Sequence, residues 1–71
     1  MQLNVNGELR TFKNAATLRD VWRSEAKTLG VEDPRGFAAA LNGRFVPKTR
    51  WPETPVSEGD RIEIIRAMAG G

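Results

Sequence analysis

The side chains that most often do covalent or acid–base chemistry are missing from this chain, which has no His, no Cys and no Tyr. Its Ser and Thr residues lack an evident base, and no Cys or His is available to hold a zinc ion. Carboxylates occur together at Glu32-Asp33 and at Glu58 and Asp60, but these fall in or beside loop-like segments where solvated charge is the ordinary role. No intrinsic catalytic residue and no metal site is therefore expected. The chemically suggestive stretch is the end, Ala67-Met68-Ala69-Gly70-Gly71. At an average glycine usage of ~7%, two glycines close a chain by chance in about one sequence in two hundred. A pair without Cβ atoms lets an extended segment thread a narrow channel and leaves the terminal carbonyl open to attack from both faces. The uncharged Ala67, Met68 and Ala69 would help it enter. A carboxylate becomes electrophilic only when its oxygen is made a leaving group, commonly by another enzyme that forms a mixed anhydride with AMP. On this reading Gly71 is the reacting group and the protein is a substrate, not a catalyst. The competing reading is a frayed, inert end.

The elements that would carry this tail follow from periodicity. "MQLNV" alternates, placing Met1, Leu3 and Val5 on one face of a half-buried strand, and Asn6-Gly7 signals a hairpin turn. A three-residue loop, setting Val5 opposite Leu9 and Leu3 opposite Thr11, is expected, because a one-residue slip would send Leu9 to the wrong face. Leu18, Val21, Trp22, Ala26 and Leu29 recur at helical spacing, with Arg19, Asp20, Arg23 and Lys27 on the other side. Thr17 caps the start of this helix with Asp20 as an imperfect capping-box partner, and Gly30 closes its end. A membrane-surface helix is disfavoured, since the polar face mixes charge signs. "FAAALN" reads as a covered strand, Asn42-Gly43 as a second hairpin turn, "RFV" as a short strand stopped by Pro47, and Lys48 to Gly59 as a loop crossing back over the fold. "DRIEII" is the last strand, expected to lie parallel to the first. This order gives an α+β fold of the β-grasp kind, a mixed sheet with one amphipathic helix on one face. The expected organisation is a globular domain over 1–65 and a flexible C-terminal tail over 66–71.

Composition narrows the function further. A domain of 71 residues buries only about 60% of the surface its unfolded chain exposes, leaving little room for a deep private active site. The absence of Cys fits a reducing compartment, and no segment approaches the ~20 apolar residues of a membrane span, so a soluble, cytoplasmic protein is expected. The net charge is +2, and the basic isoelectric point reflects the absence of His more than an excess of cations. Arg35, Arg44, Lys48 and Arg50 could form a basic patch beside the third and fourth strands, better suited to an acidic protein groove than to nucleic acid. Trp22 is expected in the core, and Trp51 at the core's edge with presentation to a partner as the alternative.

Four stretches together resemble the ThiS/MoaD-type family of ubiquitin-like β-grasp sulfur carriers, and its thiamin-biosynthesis branch in particular. They are "MQLNVNGE", "TLRDVW", "AAALNGRFVPKTRW" and "VSEGDRIEIIRAMAGG", which between them span essentially the whole chain. Trp22 stands where an aliphatic residue is more usual in that family. The resemblance implies that a ThiF-like enzyme adenylates Gly71 with ATP, that a persulfide donor converts it to a thiocarboxylate, and that a ThiG-like thiazole synthase accepts the sulfur. It also implies that Gly70, Ala69, Met68 and Ala67 thread the partners' channels, and that an apolar and basic part of the sheet face docks the activating enzyme. No bound cofactor, nucleic acid or membrane partner is implied, and the free protein is expected to be a monomer. A carrier for a molybdopterin-type pathway, a ubiquitin-like modifier and a plain interaction domain remain alternatives.

Overall fold

The computed structural model describes residues 1–66. It contains strands β1 (Gln2–Val5), β2 (Glu8–Thr11), β3 (Phe37–Leu41), β4 (Arg44–Val46) and β5 (Arg61–Arg66), with helix α1 (Leu18–Leu29) between β2 and β3. One five-stranded sheet runs in the order β2-β1-β5-β3-β4. β5 lies parallel to β1 and antiparallel to β3, as expected for first and last strands side by side. β5 includes Arg66, one residue beyond the boundary placed at 65 from sequence.

Helix α1 forms where its signals lie. Asp20 turns its carboxylate back to accept from the backbone N–H of Thr17 at 3.0 Å and of Ala16 at 2.8 Å, which satisfies groups a helix start leaves without partners. These bonds hold the Asp20 carboxyl below its ordinary pKa, those from Ala16 and Thr17 being the main cause. At the other end Gly30 takes φ 73, and its N–H closes onto the last turn. The apolar stripe of α1 covers one face of the sheet. Leu18, Val21, Trp22 and Ala26 meet Leu3 and Val5 of β1, Ile62 and Ile64 of β5, and Phe37 and Ala39 of β3. Trp22 sits at the centre of an aromatic group, its ring 4.7 Å from Phe37 and 5.7 Å from Trp51. Trp51 is buried at the edge of this core, and its indole N–H donates to the Val46 carbonyl at 2.8 Å. It is brought there by a 3-10 helix, Lys48–Glu53, inside the segment expected to be loop throughout.

Three expectations are corrected. The β1–β2 hairpin has a two-residue turn, pairing Val5 with Glu8 and Leu3 with Arg10, not Val5 with Leu9. Asn6 and Gly7 both take positive φ, 52 and 84, the geometry of the tight turn whose twist matches the flanking strands. Leu9 is accordingly 67% exposed on the far face. Arg10 takes the place beneath the sheet, where its guanidinium pairs with Glu25, a buried carboxylate within the helix's apolar stripe. That hydrogen bond raises the Arg10 pKa, and the pair neutralises two charges that would otherwise forbid the register. Leu29, assigned to the stripe from its spacing, is exposed. Strand β3 is covered on one face only, with Phe37 and Ala39 buried and Ala38 and Ala40 partly open.

Candidate functional site

The sheet face opposite α1 has no element covering it among the described residues. Alternation along β5 sends Ile62 and Ile64 into the core and leaves Arg61, Glu63 and Ile65 on this open face. Ala38 lies opposite Ile65, and Ala40 opposite both Glu63 and Phe45. The two small alanines of β3 therefore separate two large apolar side chains, Phe45 at 68% exposed and Ile65 at 60% exposed. Together with Gly43 and Glu63 they line a shallow trough with Phe45 and Ile65 as its walls. Exposed large apolar groups gathered in a trough mark a contact surface for a partner more than they mark a site of chemistry.

The trough lies beside the strand that leads to the tail. β5 pairs with β3 to its last residue, Arg66 opposite Phe37, and the Arg66 guanidinium sits 5.1 Å from the Phe37 ring centroid. Ile65 is the residue immediately before Arg66. Ala67, Met68, Ala69, Gly70 and Gly71, the reacting and threading residues expected from sequence, lie outside the described residues. What the structure describes is their base, a strand paired to its end and flanked by an exposed apolar surface.

Three of the candidate carboxylates, Glu58, Asp60 and Asp33, hold local structure. Glu58 accepts from the Gln2 N–H at 2.9 Å, and Asp60 accepts from the Ser57 N–H at 2.7 Å and from Asn42 Nδ2 at 3.0 Å. Asp33 accepts from the backbone N–H and the Nε of Arg35, at 2.8 and 2.7 Å, which lowers its pKa. The basic patch is thinned by such local pairing. Arg35 is engaged by Asp33 and Arg50 by Glu53, while Arg44 and Lys48 form no ion pair among the described residues. Phe45 and Ile65 were not singled out from sequence. The signal was there in "RIEIIR", where two isoleucines placed inward by alternation force the third outward.

A ThiS family model matches residues 3–71, a span that takes in both terminal glycines. A curated protein described as thiazole synthase, from Paramagnetospirillum magneticum, is 35% identical over 71 residues, covering all of this chain and 20% of that protein. The sulfur carrier protein ThiS of Escherichia coli is 39% identical over 36 residues, covering 51% of this chain and 54% of that protein. The chain thus spans one fifth to about half of the curated relatives it matches. The crystal structure of the thiamine biosynthesis protein ThiS from Geobacter metallireducens superposes with a TM-score of 0.74 at 27% identity, both chains covered in full. The solution structure of a thiamine biosynthesis protein from the same organism gives 0.68, with 88% of that chain covered.

Proposed function

The chain belongs to the ThiS family, and from that premise we propose that it is a sulfur carrier for thiamin biosynthesis whose reacting group is the Gly71 carboxylate. The observation that carries the reading is the family match, which spans the β-grasp fold and continues through Gly70 and Gly71. The carrier supplies no catalytic side chain of its own. A ThiF-like enzyme joins the carboxylate to AMP at the expense of ATP, releasing pyrophosphate. The terminal sulfur of a persulfide then attacks the acyl adenylate and expels AMP, forming an acyl disulfide, and a thiol that attacks the donor's sulfur breaks the S–S bond, releasing the thiocarboxylate and leaving a disulfide behind. The match to one fifth of a protein described as thiazole synthase favours a ThiG-like synthase as the enzyme that takes the sulfur.

The geometry suits a protein substrate. Docking through Phe45 and Ile65 would place a partner against Arg66, and the five residues beyond it can span at most about 18 Å when fully extended. A docked partner's reacting centre must lie within that reach of Arg66. Ala67 to Gly70 serve as the narrow threading segment, and the folded domain, which runs through Arg66 at the end of β5, serves as the handle. Deleting Gly71 tests the assignment, because a terminal glycine buries no side chain. The truncated protein is expected to keep its melting temperature and to lose adenylation, measured as pyrophosphate release. Adenylation of the truncated form at the wild-type rate would overturn the assignment.

A further inference from the structure

The strand that bears the tail is held unequally on its two edges. Toward β3 it is paired from Ile62 to Arg66. Toward β1 the backbone register covers only Arg61 and Ile62, because the chain turns away at Asn6-Gly7. Asn6 extends the ladder past that point. Its backbone N–H donates to the Ile62 carbonyl at 2.9 Å. Its side-chain Nδ2 then donates to the Ile64 carbonyl at 3.1 Å, while Oδ1 accepts from the Ile64 N–H at 2.8 Å. A side-chain amide carries the same donor and acceptor as a peptide group, so these two bonds make one more rung from a side chain. Glycine would adopt the positive φ of position 6 without a steric penalty. What asparagine adds there is the clamp on Ile64.

An internal control lies at the other end of the same strand. Asn42 occupies the equivalent position of the second Asn-Gly turn, with φ 50. Its Oδ1 accepts from the Arg61 N–H at 2.9 Å and its Nδ2 donates to Asp60. Asn42 thus secures the start of β5 and Asn6 its final half.

We infer that Asn6 is a positioning residue for delivery of Gly71. By fixing Ile64, two residues before Arg66, it sets the direction in which the tail leaves the sheet. This rests on the carrier reading given above. Without the clamp, the end of β5 is held on one edge, and the docked complex spends less of its time with the terminal carboxylate aligned for attack on ATP. The contacts of the sheet's open face are untouched. The loss therefore falls on kcat and not on KM.

The test compares Asn6→Gly with Asn42→Gly in the full chain, using an ATP-dependent activating enzyme and pyrophosphate release. Both substitutions preserve the turn and remove one side-chain clamp. Asn6→Gly is expected to lower kcat about tenfold with KM within about twofold of wild type, and to speed amide exchange at Ile64. Asn42→Gly is expected to lose comparable stability with kcat unchanged. Asn6→Asp, which keeps the acceptor for the Ile64 N–H and loses the donor, should fall between wild type and Asn6→Gly. Equal kcat in the two glycine variants, or a loss in Asn6→Gly lying wholly in KM, overturns the positioning role alone. A wild-type chain that is never adenylated removes the carrier reading and the positioning role together.

Discussion

Replacing Phe45 by alanine should separate docking from folding. An aromatic side chain presents about 150–250 Å² for burial, so with 68% of the residue open, roughly 140 Å² of Phe45 is available to a partner. At ~25 cal/mol per Å² this sets a ceiling of ~3.5 kcal/mol. Side-chain ordering and incomplete burial reduce what reaches the binding free energy, leaving about 1.5–3 kcal/mol. At ~1.4 kcal/mol per tenfold, Phe45→Ala should raise KM for adenylation by about 10- to 100-fold. The ring contributes little to the core, and loss of an aromatic from this edge strand should cost the fold less than about 1 kcal/mol. The assay is the initial rate of pyrophosphate release against carrier concentration, with a urea melt of the same preparation. A KM within about threefold of wild type would refute the argument that this trough seats the activating enzyme.

Two further perturbations test the fold beneath the site. Trp22→Ala removes a ring that is 4% exposed and packed against Phe37 and Trp51, at an expected cost of about 3–5 kcal/mol. That is a large part of the ~4–11 kcal/mol available to a chain this size, so the urea midpoint should fall sharply; an unchanged midpoint would show the aromatic group to be misassigned. Asp20→Ala should cost about 1 kcal/mol at neutral pH through loss of the capping bonds. Because the Asp20 pKa is lowered on folding, its contribution is present above the ordinary value of 3.8 and is lost as pH falls through the depressed one. The difference between wild type and variant in urea midpoint should therefore vanish in strong acid, and a difference that persists there would contradict the capping account.

Much of the frame was legible because local and global signals agree. Thr17, Asp20 and Gly30 mark the ends of α1 by backbone requirements that no tertiary contact needed to override. The turn of Asn6-Gly7 was legible, but its length was not, since the hydrophobic pattern argued for Leu9 inward. The competing solution, Arg10 inward against Glu25, needs a charge from an element 15 residues away, which no local pattern reveals. The same limit hid the trough. It consists of Phe45 and Ile65 on β4 and β5, strands that follow one another in sequence but flank β3 in the sheet, an arrangement that no local pattern reveals. The asparagine clamps were hidden for a related reason, since "NG" is fully explained by turn chemistry until the partner strand is seen. Trp51, by contrast, was placed at the core's edge from its neighbours, and the 3-10 helix that delivers it was missed because Pro52 reads as a break.

Sulfur on the Gly71 carboxylate would be seen in the intact mass of the protein after incubation with ATP, a ThiF-like activating enzyme and a persulfide source. The expected result is a gain equal to one oxygen replaced by sulfur, localised by fragmentation to Gly71. No mass change, with the same enzyme active on a known carrier, would contradict the carrier reading.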